Sequence, residues 1–428
     1  MHRITLALLL AILMTGTLAA CAQDGLKIGE AVASGAPIKG VADGGVNEEL
    51  SSAITDFGFD LLNRAGAEET RGTNTVVSPL SVHAALTMAY NGASAKTKRE
   101  MESTLRLSAL GLDRTNAAYA NLLASLNALG EDGPTTLDIA NSLWVDDGFT
   151  LRPQFAAADR DYFGAQLEVL DLPADGASRI NGWVANQTNG RITDLLDEAP
   201  ADAALYLVNA VYMKGDWETP FRADATSDRP FATGLAQVDV PTMSRGGEMR
   251  YAEFNGTQAV RLPYKDGRLG MWILLPPVVN GDPSGAVDHE LERLGGAAWS
   301  ELTDTATRRS GYLELPKFTT RTKIELADVL CDMGMPSAFE PEKADFSGIH
   351  MGDDPLWISR VLHQTHVSVE ETGTEAAAAT GVETLRGNAS LPPKDWFEML
   401  VNRPFLFAID DSETGTLLFL GKIEDPRR

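Results

Sequence analysis

The run Glu370-Glu371-Thr372-Gly373-Thr374-Glu375-Ala376-Ala377-Ala378-Ala379-Thr380 lies where a chain should be completing its core, yet it commits to no structure of its own. Only 48 residues follow Thr380. The stretch from Met399 to Arg428 reads as two apolar strands, MLVNRPFLFAI and TLLFLGKI, joined by the turn segment Asp410-Asp411-Ser412-Glu413-Thr414-Gly415. So short a piece cannot bury a core, so these strands must complete sheets begun earlier. The Ala-rich run and its continuation GVETLRGNASLPPKD are therefore one long loop inside a single domain. A loop beyond about 12 to 15 residues without structure of its own is usually functional or disordered.

The loop's composition allows two shapes. Four consecutive alanines favour a helix, but small side chains also meet no obstacle when a strand slides between two others. Read as a strand, alternation puts Thr374, Ala376, Ala378, Thr380 and Val382 on one face and Glu375, Ala377, Ala379, Gly381 and Glu383 on the other. The first set is small and uncharged and suits a buried face. From Thr374 to Arg386 such a strand would reach about 43 Å, against a radius of gyration of about 21 Å, so it needs a large sheet to enter. On composition alone an inert surface linker remains equally open.

The flanking residues carry a resemblance. LHQTHVSVEETGTEAAAAT, followed by FEMLVNRPFLFAIDDSETGTLLFLGKI, resembles the hinge and C-terminal strands of the serpin family of protease inhibitors. Further blocks recur in the family's order: NTVVSPLSVHAALTMAYNGA (74–93), INGWVANQTNGRITDLL (180–196), LVNAVYMKGDWETPF (207–221), LPYKDGRLGMWILLP (262–276) and LPKFTTRTKIELADVLCDMGMPSAFEPEKADFSGI (315–349). One block would say little, but so many in order are specific.

The N-terminus gives an independent signal. His2 and Arg3 precede the apolar run LALLLAILM, and LAAC (18–21) follows, the three regions of a secretory signal. Leu18-Ala19-Ala20-Cys21 also resembles the bacterial lipobox, whose cysteine is acylated and becomes the first mature residue. The expected organisation is a lipoprotein signal peptide over 1–20, a Gly- and Ala-rich flexible tether over 21–47 and one domain over 48–428. The tether would reach roughly 25 to 30 Å. The chain is expected to be an exported bacterial lipoprotein of the cell envelope, at the periplasmic face or cell surface, or extracellular, touching membrane only through its lipid. With Cys21 acylated, Cys331 is the one thiol left of two. No intrachain disulfide could then form, and Cys331, within the apolar helical pattern Leu326, Val329, Leu330, Met333, is expected to be buried and inert.

Charge and motifs narrow the function. A net charge of −24 argues against nucleic acid or anionic polysaccharide as partner. The cluster Lys96, Lys98, Arg99 and Arg106 reads as a solvated helix face broken by Glu100 and Glu102. There is no GxSxG, no SxxK and no GxxxxGK[ST], and Arg293 stands where HExxH after His289-Glu290 needs a second histidine. An exported hydrolase is thus disfavoured. His363 and His366, at strand spacing, point to opposite faces and cannot readily share a metal. One reads as a satisfied interior histidine and the other as peripheral. No metal and no cofactor is expected.

Helical periodicity over 48–65, 80–92, 95–107, 116–129, 153–163 and 178–196 precedes the strand-like segments ALYLVNAVYM, AVRLPY, MWILL and YLELPKF. Helices first and strands later imply an α+β domain, and the resemblance sharpens this to a serpin fold of three β-sheets and about nine helices with an exposed reactive-centre loop. It further implies a monomeric suicide-substrate inhibitor of serine, and secondarily cysteine, endopeptidases, with no catalytic residue of its own. A non-inhibitory serpin-fold binding protein is the alternative.

By resemblance, Glu371, Gly373, Thr374, Ala376, Ala378 and Thr380 form the hinge that inserts after cleavage. Ser78, Ser81, Asn209 and His363 fall on the shutter beneath the sheet that opens, Trp217 on the breach at its mouth, and Lys317 on the partner of hinge acid Glu371. The commonest family spacing from Gly373 puts the scissile residue at Gly387, followed by Asn388. A spacing one residue shorter selects Arg386, the favoured reading, and implies a trypsin-like target, with Leu385 and Thr384 behind.

Overall fold

The computed structural model describes residues 48–68, 71–130, 133–278, 281–374 and 395–428. The expectations at Cys21, Ala376, Ala378, Thr380, Arg386, Gly387 and Asn388 lie outside the described residues.

Helix α1 (Glu48–Glu68) carries two acids in its first turn, at the positive end of its dipole. Its buried Leu50, Ile54, Phe57 and Leu61 recur at helical spacing. After strand β1 (Thr75–Val77), helix α2 (Pro79–Tyr90) starts on an N-cap, the Ser78 side chain accepting from the Ser81 N–H at 3.4 Å, with Pro79 in the first turn. Every residue of α2 is buried, so it runs through the core rather than over it.

Helices α3 (Ala95–Thr104) and α4 (Leu112–Gly130) lead into strand β2 (Thr135–Asp146), and α5 (Pro153–Phe163) closes on left-handed Gly164 before β3 (Gln166–Leu170). Helix α6 (Leu172–Gln187) is capped by Asp171, which accepts from the Ala174 N–H at 2.9 Å. It starts and ends earlier than the expected 178–196, because Asn189 and Gly190 take positive φ of 50° and 75° and turn the chain out of the helix.

The second half brings strands β4 (Leu205–Asp216), β5 (Ser227–Ala232), β6 (Gln237–Phe254), β7 (Thr257–Pro263) and β8 (Leu269–Leu275). Helices α7 (Pro283–Arg293) and α8 (Gly296–Thr305) follow, then β9 (Thr307–Pro316), β10 (Phe318–Glu325) and α9 (Ala327–Asp332). The chain ends with β11 (Ile358–Val369), β12 (Gly373–Thr374), β13 (Phe397–Leu400), β14 (Phe405–Asp411) and β15 (Leu417–Ile423). Strands β1 to β3 thus sit among the early helices and α7 to α9 among the later strands, so the two halves interleave. The expected single strand MLVNRPFLFAI is two, divided at Asn402-Arg403-Pro404, where proline has no N–H for a ladder. The halves separate: β13 lies on β9 at the edge, β14 between β8 and β15.

Among the described residues the strands form two sheets, where three were expected. One has the order β10-β11-β12-β4-β2-β3, with β11 also pairing β4 directly. The other runs β1-β15-β14-β8-β7-β6-β9-β13, with β5 on β6. The physical reason is β6, 18 residues long, which pairs β5 along its first part, β7 along its last, and β9 across both. Continuous hydrogen bonding along it joins what would otherwise be separate sheets.

The first sheet is covered on both faces. A large apolar cluster with α2 fills one side, and a second, with Trp144, Trp183, Ile180 and Tyr206, packs α6 against the other.

Candidate functional site

Strands β4 and β11 run parallel, paired from Leu205 with Ile358 to Val211 with Thr365. Beyond that level they part. Into the opening comes β12, antiparallel to both: Gly373 opposite Asp216, Thr374 opposite Gly215, and Thr374 opposite Val369. Between the level of Thr374 and the closed ladder, Tyr212–Lys214 of β4 and His366–Ser368 of β11 are not paired with each other.

Close backbone approach makes the tip possible. A Cβ on Gly373 would stand 2.1 Å from the Gly215 carbonyl oxygen and 2.7 Å from the Asp216 Cα, so only glycine fits. Thr374 is 1 % exposed, and its hydroxyl lies 2.7 Å from that of Tyr264. Burial pushes the Tyr264 phenol well above its ordinary pKa, so it keeps its proton for this contact. Tyr264 in turn stacks on Trp217, ring centroids 4.7 Å apart.

Trp217 holds the turn before β12. It is fully buried; its indole N–H donates to the Glu370 carbonyl and its backbone N–H to the Thr372 carbonyl, both at 2.9 Å. The Phe221 N–H donates to the Glu371 carbonyl at 2.8 Å. The Glu371 carboxylate lies 2.8 Å from the Lys317 ammonium and accepts from the Thr226 hydroxyl at 2.8 Å. Burial alone would raise its pKa, but Lys317, the backbone and Thr226 outweigh that and hold it below the ordinary carboxylate value. The pair is largely shielded, so it anchors the hinge better than an exposed ion pair would.

Below the split, where β4 and β11 pair directly, a polar network spans the strands. The Ser78 N–H donates to His363 Nε2 at 3.0 Å, so Nδ1 carries the proton and donates to Asn209 Oδ1 at 3.1 Å. The Asn209 amide donates to the Ser81 carbonyl at 2.9 Å and to Asn141 Oδ1, which also accepts from the Ser81 hydroxyl at 3.2 Å. Desolvation lowers the His363 pKa to about 3. A charged imidazole would set a second donor against the Ser78 N–H. His363 and Asn209 are direct neighbours across β11 and β4, and Asn209 faces Asn141 across β4 and β2.

The structure thus gathers Ser78, Ser81, Asn209 and His363 in one network, and Trp217, Lys317, Glu371, Gly373 and Thr374 at the mouth of the split. Asn141, Tyr264, Phe221 and Thr226 were missed. Asn141 could have been found: like Asn209 in LYLVNAVYM, it is a lone amide in the apolar stretch of IANSLW.

Other expectations resolve differently. His366 is not peripheral but buried, with Arg321 Nε donating to its Nδ1 at 3.3 Å. Cys331 is only partly buried, although burial and then nearby acids push its thiol up to about 11, far from a reactive thiolate. In the basic cluster Lys96 pairs with Glu100 at 2.9 Å and Lys98 lies over the Tyr90 ring.

Comparison with known proteins agrees with this geometry. Residues 52–426 match the family model described as "Serpin (serine protease inhibitor)". An uncharacterized serpin-like protein of Thermococcus kodakarensis is 37 % identical over 386 residues, covering 90 % of this chain and 87 % of that protein. The leukocyte elastase inhibitor of Xenopus laevis is 34 % identical, covering 89 % of this chain and 100 % of its own. The crystal structure of a thermophilic serpin, tengpin, in the native state superposes with a TM-score of 0.81 at 28 % identity, over 91 % of this chain and 97 % of that one. Human thyroxine-binding globulin complexed with its hormone gives 0.78 at 25 % identity, over 89 % and 99 %.

Proposed function

The chain belongs to the serpin family, and we propose that it is an irreversible suicide-substrate inhibitor of serine endopeptidases, acting by insertion of the loop after Thr374 between β4 and β11. The observation that carries this reading is β12: the first two residues of the loop already lie in the split, antiparallel to both neighbours.

The register supports an orderly continuation. Extended residue for residue, positions 375 to 377 come level with 214 to 212 and 368 to 366, where no β4–β11 pair has to break. Position 378 is the first to displace one, Val211 with Thr365. Thr380 then comes level with Asn209 on one side and His363 on the other, where its hydroxyl can serve both groups as they part. Position 384 meets Leu205, where β4 begins. A cut after Arg386 would leave a strand that fills the sheet with little to spare.

In the reaction the protease serine adds to the scissile carbonyl, an ester forms, the peptide bond to the next residue breaks, and the amine leaves with a proton. Freed at that end, the loop inserts. Each ladder hydrogen bond gained contributes about 1 kcal/mol net, and the parallel β4–β11 pairing gives way to antiparallel pairing on both sides, which is slightly stronger per residue. Several such bonds in concert can distort the protease and prevent hydrolysis of the ester. The chemistry belongs to the protease.

Incubation with trypsin-like, chymotrypsin-like and elastase-like proteases, followed by denaturing gels and mass spectrometry, tests this. A covalent adduct with the trypsin-like enzyme and a new C-terminus at Arg386 is expected. An end at Gly387 or Leu385 would move the scissile bond, and cleavage without any adduct would favour the binding-protein alternative, to which the thyroxine complex of a relative gives some support.

We further infer export and acylation at Cys21, supported by LAAC directly after an apolar run of signal length. Cys21→Ser should move the protein from the membrane fraction to the soluble one. Unchanged fractionation would refute the anchor.

A further inference from the structure

Three arginines stand in one row across three neighbouring strands: Arg261 on β7 faces Arg250 on β6, and Arg250 faces Arg308 on β9. Directly opposite residues share a sheet face about 5 Å apart, and like charges there repel. The row also runs against the composition of a chain with 60 acidic and 36 basic residues. Of the three, Arg261 is neutralised, by Asp410 at 2.9 Å. Arg250 donates to the Thr303 carbonyl at 2.8 Å and lies over the Trp272 ring, while Arg308 is exposed. No carboxylate of the described residues pairs with Arg250 or Arg308.

These side chains line a cavity of about 320 Å³. Arg245 reaches it from further along β6, donating one Nη to the Thr219 carbonyl and lying over the Phe221 ring. Its Nε is buried without a hydrogen-bond partner, a rare state for a buried polar group. Burial lowers the Arg245 pKa, with Glu218 opposing, yet a guanidinium remains charged. Glu218 and Glu248 are at the rim, but neither lies within ion-pair distance of an arginine. The cavity therefore gathers four guanidinium groups against a single paired carboxylate, Asp410 on Arg261, while Arg250 and Arg245 meet only backbone carbonyls.

We propose that this cavity is a binding site for a compact polyvalent oxyanion of the phosphate class. Guanidinium forks pair with such oxygens bidentately, and the exposed Arg308, which has no carboxylate partner, is free to turn its fork to the ion. The rim acids and the strongly negative chain repel a long polyanion but admit a small ion.

The test needs no protease, so its outcome is independent of the inhibitory reading. Inorganic phosphate is titrated into the full chain at pH 7.5, with ionic strength held constant by sodium chloride, and binding heat and Tm are followed. Wild type is compared with Arg308→Gln, an exposed position where folding is not at risk, and with Lys98→Gln on α3 as a remote control. Saturable binding to a single site with a rise in Tm is expected for wild type and Lys98→Gln, with affinity at least tenfold weaker for Arg308→Gln. No saturable binding overturns the proposal. So does an equal Tm rise in all three proteins, since phosphate excluded from protein surface stabilises without a site.

Discussion

Thr374→Arg should convert the protein from an inhibitor into a substrate of the same protease. Thr374 is 1 % exposed in the split between β4 and β11, and its hydroxyl touches that of Tyr264. An arginine there places an unpaired charge in a buried site, which costs several kcal/mol even after relaxation. That is comparable to the first few ladder bonds at about 1 kcal/mol each. Because Thr374 is already in the sheet, the uncleaved variant should also lose stability as β12 is expelled. Acylation needs only the loop and should proceed at its normal rate. Slow insertion then lets water reach the ester first. Glu375→Arg, on the opposite face by alternation, should be far milder. The measurement is the ratio of covalent complex to cleaved product for both variants, with thermal stability before and after loop cleavage. Wild type should gain stability on cleavage and Thr374→Arg much less. Wild-type trapping by Thr374→Arg would sink the insertion mechanism.

Most of this site was legible through the family resemblance, which gave Ser78, Ser81, Asn209, His363, Trp217 and Lys317, and only a little of it through local signals. Alternation alone puts Thr374 on the small uncharged face, and the buried Thr374 agrees with it. Gly373 is explained by contact with Gly215, a long-range approach that no window of sequence around either glycine contains. Helical periodicity placed most early helices, but the α6 pattern could not say that Asn189 and Gly190 would turn away before the apolar run ended. Strand β2 was invisible for a different reason. Its central residues are buried on both faces, so the alternation that marks a half-exposed strand is lost. With β2 unread, Asn141 could not be brought beside Asn209. The fusion of two sheets by β6 is likewise a matter of which strands pair along 18 residues, and pairing is set by partners far away in the chain.

Asn209→Ala should weaken the uncleaved form much more than the cleaved one. Removing the amide leaves His363 Nδ1–H without its acceptor and deprives the Ser81 carbonyl and Asn141 Oδ1 of a donor. Asn141 Oδ1 keeps the Ser81 hydroxyl and the Ser81 carbonyl keeps its place in helix α2, so only the imidazole N–H is wholly stranded. Such a group costs about 1 to 3 kcal/mol, which lowers Tm by roughly 2 to 4 °C in a domain of this size. The same network sets an acid limb in the wild type. Folding holds His363 neutral with a pKa of about 3, and His83, also buried, at about 4, against an ordinary 6.5. Between those values the unfolded chain binds more protons than the folded one. This contribution to stability is therefore whole above pH 6.5 and declines as pH falls towards 3, by up to about 1.4 kcal/mol per unit for each histidine. In the cleaved form the register brings Thr380 between His363 and Asn209, so its hydroxyl can accept the imidazole proton that Asn209 no longer takes. The cleaved Asn209→Ala protein should thus recover part of the lost stability. Urea unfolding of both forms at pH 7 and pH 5 measures each effect. An equal loss in cleaved and uncleaved protein would mean that the inserting strand does not pass between His363 and Asn209.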